Sequence, residues 1–293
     1  MRNLATIHRP TTLDEAMNLL RSGAPGTVVL AGGTSLVGEA GPAVEAVVDL
    51  AGLDLAYARA EADGLHLGAM TTLYDLAQNP TVRGWAGGQV ARAAHAATSS
   101  LLRRQATVGG TLVGGEAPEL AALLIALGAQ IAIYAPAASQ APLEALYQGG
   151  QSTEPFLLTE VFLPQREGLG VASQAVRRTP GDAPIVAVTA ALALDDGRVS
   201  YVGLGVGGAV IPAPDAPQTP TLGWPTRLAH TEHGLAGKRL TNQLVAAAAA
   251  QAPSELPAIT DYLASSEYRA AMVGTLLRRA LGEAWRAALD TRS

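Results

Sequence analysis

The sequence predicts an α+β protein made of a larger N-terminal part and a smaller C-terminal part. Three observations carry that prediction. The first fifty residues read as helix, strand, glycine loop, strand. Two long β-prone runs between residues 185 and 206 are joined by a hairpin turn, and helices follow from residue 241 onward. Between these parts, residues 164–170 carry charge and glycine and read as a linker.

The elements follow in order. Thr12-Leu-Asp-Glu15 is a capping box, and Leu13, Ala16, Met17, Leu19 and Leu20 then repeat at helical spacing up to Gly23. Thr27–Ala31 reads as a buried strand that runs into Gly32-Gly33-Thr34-Ser35, and Glu45–Leu50 as a second strand. Strands are expected at Leu55–Ala60 and Gly64–Gly68. A helix opens at Thr72 and ends before Pro80; another spans Val82–Ala97 with a break at Gly87-Gly88. A second glycine loop is Thr107-Val-Gly-Gly-Thr111. Pro118 suits a first helical turn, and that helix stops at Gly128. Ala129–Tyr134 and Leu157–Leu163 read as strands. Ile185–Leu194 and Val199–Val206 flank the turn Asp195-Asp196-Gly197. Pro212–Pro225, with five prolines, reads as a loop, and Thr241–Gln251 and Ser266–Leu289 as helices.

Composition narrows the function. Of 293 residues, 48% are hydrophobic and 15% charged, which marks a chain able to bury a large core. A net charge of −5 argues against a nucleic-acid groove. There is no cysteine, so disulfides, thiolate nucleophiles and cysteine-held iron–sulfur clusters are excluded within this chain. Lys238 is the sole lysine, so a phosphate grip has to come from something other than lysines. The longest apolar stretch, Leu120–Ala135, is broken by Gly128 and Gln130 and falls short of the roughly 20 residues of a membrane span. With no leader pattern at the N-terminus, the expectation is a soluble, cytoplasmic protein with no membrane span.

The two glycine loops are the candidate site. Several converging backbone N–H groups can hold a diphosphate without any cation, glycine permits that convergence, and Thr or Ser hydroxyls add donors. Among 32 glycines a single Gly-Gly pair reads as a turn. Two pairs, each followed by Thr or Ser, leave the turn and the cradle both open. Other motifs fail their own tests. Gly203-Leu-Gly-Val-Gly-Gly208 lies inside a hairpin arm rather than between a strand and a helix. His230 and His233 lack a third ligand at metal spacing, and no general acid–base pair stands out, so neither a metal site nor a catalytic residue is assigned.

The residues also carry a family resemblance. Arg9-Pro10, Leu13-Asp-Glu-Ala16, Val29-Leu-Ala-Gly-Gly-Thr-Ser-Leu36, Val48-Asp-Leu50, Gly68-Ala-Met-Thr-Thr72, Arg103, Ala106-Thr-Val-Gly-Gly-Thr-Leu112, Leu158–Pro164 and Asp261–Arg269 span nearly the whole chain. In these motifs the chain resembles the FAD-binding medium subunits of molybdenum hydroxylases, the carbon monoxide dehydrogenase and xanthine dehydrogenase group. The resemblance implies an N-terminal FAD domain of the vanillyl-alcohol-oxidase (PCMH) type at 1–168, in subdomains of about 1–54 and 55–168. A C-terminal α+β domain of the CO dehydrogenase flavoprotein type would occupy 169–293. Ala31, Gly32, Gly33, Thr34, Ser35 and Leu36, with Thr107, Val108, Gly109, Gly110 and Thr111, would wrap the FAD diphosphate. Glu119 and Asp182 would contact the ribityl chain or the ring. Electrons would come from a partner [2Fe–2S] small subunit and leave to NAD or a quinone, and a molybdopterin large subunit would do the substrate chemistry. Departures from the family pattern are Glu119 in place of an Asp, Arg104 in place of an Asn, and Ala172-Ser-Gln-Ala175 where Tyr and Lys often face the flavin. They motivate the alternative of a flavin-degenerate scaffold subunit.

Overall fold

The computed structural model describes residues 3–23, 26–39, 44–135, 138–148, 154–179, 181–209 and 223–291. The N-terminal elements are β1 (Thr6–His8), α1 (Leu13–Ser22), β2 (Thr27–Leu30), α2 (Thr34–Glu39) and β3 (Ala46–Asp49). The strands form a parallel sheet in the order β1-β3-β2. Thr12 caps α1 by accepting from Glu15 N at 3.2 Å, while the Glu15 carboxylate reaches back to Thr11 N at 2.9 Å. The cap therefore holds, one residue wider than the capping-box spacing predicts. Ala16 and Met17 of α1 pack on Val48, Leu50, Leu53, Leu55 and Leu157 to form the first of three apolar cores.

Next come β4 (Ala58–Ala60), β5 (Gly64–Gly68), α3 (Leu73–Gln78), α4 (Pro80–Gly84), α5 (Gln89–Ala96), α6 (Val108–Gly114), α7 (Pro118–Ala126), β6 (Gln130–Tyr134), β7 (Ala138–Pro142), α8 (Ala145–Gln148) and β8 (Leu157–Pro164). The strands form an antiparallel sheet in the order β4-β5-β8-β6-β7. The predicted break at Gly87-Gly88 is present, with both glycines left-handed. Two readings need correction. The second glycine loop is not a loop: Thr107 accepts from Gly110 N at 3.1 Å and so starts α6. Strand β7 and helix α8 were not anticipated, because Ala138–Pro142 is polar and mostly exposed and α8 is only four residues long.

The C-terminal part contains β9 (Gly170–Val176), β10 (Val186–Asp195), β11 (Arg198–Gly208), β12 (Gly223–Arg227), α9 (Ala229–Leu235), α10 (Asn242–Gln251) and α11 (Ser266–Asp290). Its antiparallel sheet runs β12-β11-β10-β9. Asp196 and Gly197 both adopt positive φ, as the predicted two-residue turn requires. Gly170, placed in the linker by sequence, opens β9, and α9 was not anticipated. Most of the predicted proline loop lies outside the described residues; its end, including Pro225, belongs to β12, an edge strand where a missing N–H is tolerated. No single helix among the described residues is long and apolar enough to cross a membrane.

One helix joins the two larger cores. α7 is buried along its whole length, between the middle core and the C-terminal sheet. Alternation along β11 separates two faces. Val202, Leu204 and Val206 join Leu276, Leu277 and Leu281 of α11. Gly203, Gly205 and Gly207 meet α7 directly. A Cβ at these positions would lie 1.9 Å from Ala126 O, 1.9 Å from Ala122 O and 2.2 Å from Pro118 O. The Gly-x-Gly-x-Gly run, rejected above as a nucleotide motif, is the seat for one helix backbone. Polar ties flank it. Arg227 bridges Glu144 at 3.1 Å and Glu232 at 2.9 Å, and Tyr201 donates to Ala126 O at 2.8 Å. Burial pushes the Glu232 carboxyl upward, opposed by the Leu204 N–H and Arg227 that it accepts from.

Candidate functional site

The two glycine segments, far apart in sequence, lie against each other. A Cβ on Gly32 would sit 1.8 Å from Gln105 O, so only glycine fits there. A Cβ on Gly110 would come within 3.5 Å of Ala31 Cβ. Ser35 donates to the Glu116 carboxylate, and a Cβ on Gly114 would lie 3.7 Å from Ser35 Oγ. Residues 31–35 are thus stitched along residues 105–116 at three points.

The segments offer different chemistry. Gly33, at φ +73°, turns the chain from β2 into α2. First-turn amides of a helix have no intrahelical acceptor, and the N–H groups of Gly33, Thr34 and Ser35 find no backbone acceptor among the described residues. The second segment is already committed. Val108 N donates to Thr71 O at 2.9 Å, Gly109 N to Ala69 O at 2.8 Å, Gly110 N to the Thr107 hydroxyl at 3.1 Å and Thr111 N to Thr107 O at 2.9 Å. In this structure the amides of the second segment are therefore held by protein acceptors, which leaves it close packing and hydroxyls to offer. Thr111 is 4% exposed, and its Oγ1 has no hydrogen-bond partner among the described residues. A buried hydroxyl without a partner is costly, so its position calls for one.

The floor under α6 is the stretch Ala69–Thr71, which supplies the acceptors just named, while Thr71 Oγ1 accepts from Tyr57 N at 2.9 Å. Tyr147 anchors the helix from below by donating to Leu112 O at 2.9 Å; burial raises its hydroxyl pKa and keeps it a donor. Beside Met70, an open cleft of about 550 Å³ is lined by Ala51, Asp54, Tyr57 and Arg59. It lies at the carboxyl end of β3, the edge of the parallel sheet from which the first glycine segment also leaves. Removing the α6 cap tests this framework. Thr107→Ala is expected to cost about 1 kcal/mol, read as a lower thermal midpoint, with Thr107→Ser close to wild type.

Glu119 and Asp182 stand apart from the stitched contacts. Glu119, in the first turn of α7, accepts from Arg177 at the end of β9. Asp182 accepts from Thr179 N at 3.2 Å and lies 3.7 Å from Arg178 Nε, within the β9–β10 connection that starts at Arg177. Both therefore converge on one short segment next to the third sheet. In β9, Ser173 is hydrogen-bonded to Thr189 at 2.7 Å and Gln174 donates to Glu283 of α11 at 2.8 Å. Arg104 stacks on Tyr74, 4.3 Å from the ring centroid. Glu116 was missed by sequence reasoning. Its signal was its place just after Gly114-Gly115, within reach of both glycine segments.

Comparison with known proteins identifies the family. Residues 2–166 match the FAD binding domain in molybdopterin dehydrogenase, and residues 172–284 match the CO dehydrogenase flavoprotein C-terminal domain. Fold and matched domains together define an FAD-binding flavoprotein. The chain is 29% identical to the nicotine 6-hydroxylase medium subunit of Paenarthrobacter nicotinovorans, covering 94% of this chain and 95% of that one. It is 27% identical to the glyceraldehyde dehydrogenase medium chain of Sulfolobus acidocaldarius, covering 94% and 96%. Among solved structures it resembles a chain of carbon monoxide dehydrogenase from Hydrogenophaga pseudoflava, with a TM-score of 0.84 and 25% identity over 97% of this chain and 98% of that one. The chain belongs to the family of FAD-binding medium subunits of molybdenum hydroxylases, a group of oxidoreductases.

Proposed function

We propose that this chain holds FAD at the junction of its glycine segments and stands between a partner [2Fe–2S] subunit, as electron source, and an acceptor such as NAD or a quinone. A molybdopterin-bearing large subunit would oxidise the substrate. The observation that carries the reading is the junction itself: among the described residues the amides at Gly33–Ser35 have no backbone acceptor, and the adjacent segment holds a Thr111 hydroxyl without a partner. Residues 1–168 would supply the cofactor site, and residues 169–293 the surface that covers the ring.

The residues present fit the cofactor. Gly32 and Gly33 let the backbone approach a diphosphate, and the amides of Gly33, Thr34 and Ser35 complement its charge. Gly109 seats the second segment on Ala69 and Gly110 lets it approach Ala31, while Thr107 and Thr111 would present hydroxyls. Ala31 lies against Gly110, and Leu36 and Val108 would complete the wrap around the diphosphate. Bound FAD supplies the redox chemistry; the protein supplies binding, orientation and electrostatics. Glu119 and Asp182 act from the β9–β10 side, where Arg177 fixes the Glu119 carboxylate. The expected result for the chain purified with its partners is absorbance near about 370 and 450 nm, with about one FAD released per chain. Colourless protein that stays colourless after FAD is added would contradict this reading and leave the scaffold alternative.

A further inference from the structure

The Ser35–Glu116 contact has a consequence for cofactor affinity. Glu116 is half-buried, follows Gly114-Gly115, and takes the Ser35 hydroxyl. Gly114 lies beside the pair: a Cβ there would be in ordinary contact with both, 3.4 Å from Glu116 Cγ and 3.7 Å from Ser35 Oγ. Among the described residues no Lys, Arg or His pairs with Glu116. A partly desolvated carboxylate without a cation needs donors, and here it takes one belonging to the glycine segment. Chemically the junction already contains an anion. A diphosphate placed at the same segment meets a like charge, and meets a Ser35 hydroxyl that is already directed elsewhere.

We propose that Glu116 is a resident anion of the cofactor site, which competes with the diphosphate for Ser35 and thereby loosens the hold on FAD. The inference rests on the function proposed above, and it concerns the strength of binding rather than its existence. Ser35 then has two states: donor to Glu116 when the site is empty, donor to phosphate when it is filled. Glu116 is a positioning and tuning residue, not a catalytic one.

The test is a titration of the full-length chain, stripped of flavin, with FAD, with ADP and with riboflavin. Wild type is compared with Glu116→Gln, which keeps shape and loses charge, and with Glu116→Ala, which also removes the competing acceptor. Both variants are expected to bind FAD and ADP about tenfold more tightly, because one like charge is removed, and riboflavin unchanged. Unchanged or weaker binding of FAD and ADP would overturn the proposal; weaker binding would instead make Glu116 an acceptor for a cofactor hydroxyl. Equal tightening for riboflavin would also overturn it, because the effect would not depend on phosphate. Failure of wild type and both variants to bind either FAD or ADP would overturn the site assignment itself, and this inference with it.

Discussion

Gly32→Ala is expected to yield a folded protein that loses its flavin on purification. The added Cβ would stand 1.8 Å from the backbone oxygen of Gln105, and neither atom can rotate away. Relief requires the two glycine segments to part. Such overpacking costs typically about 1–3 kcal/mol, which at a cofactor site corresponds to a loss of affinity of about 5- to 150-fold. The far-UV spectrum should stay close to wild type, because the clash falls on Gln105 and Ala106, outside α7 and the C-terminal sheet. Gly33→Val should behave alike for a different reason: φ at Gly33 is +73°, a conformation hostile to a β-branched residue. Gly110→Val would press on the Thr107 hydroxyl, 2.9 Å from the new Cβ, and on Ala31. Full flavin occupancy in these variants would remove the junction from the binding site.

The second large effect lies away from the cofactor. Gly205→Val should deprive the protein of a stable fold, seen as insoluble expression or a thermal midpoint lowered by many degrees. Its Cβ would overlap Ala122 O at 1.9 Å, in the middle of the seat where α7 lies on β11. The helix is buried on all sides and cannot shift without opening both large cores, so a cost of about 3 kcal/mol or more is expected. Gly282→Ala is the control. It lies on α11 with nothing within 4 Å of its Cβ, and in a helix interior it should hold or raise the midpoint.

Much of this architecture is legible in the sequence, because local chemistry and global fold agree there. The helix starts at Thr12, Thr72 and Thr241, the positive φ at Gly128, and the Asp196-Gly197 turn are fixed by nearest neighbours. Strand β10 reads clearly because both of its faces are covered, by α7 and by α11. What was illegible depends on distant partners. The second glycine segment is helical because Thr107 caps it and Thr71 and Ala69 take its amides, and none of these commitments shows in a Thr-Val-Gly-Gly string. The glycines of β11 could be rejected as a nucleotide motif from their place in a hairpin arm, but their purpose shows only with α7 laid across them. The place of Glu116 after Gly114-Gly115 was a weak signal, and its partner Ser35, eighty-one positions earlier, shows only in the fold. At the candidate site the pairing of the two segments was foreseen; the division of labour between them was not.

Hydrogen–deuterium exchange at residue resolution, with and without FAD, tests the central claim most directly. The amides of Gly33, Thr34 and Ser35 should exchange readily in the empty protein and become protected when FAD binds. Those of Val108, Gly109, Gly110 and Thr111 should be slow in both states, because protein acceptors already hold them. Flavin bound at full occupancy with unchanged exchange at Gly33–Ser35 would contradict the claim.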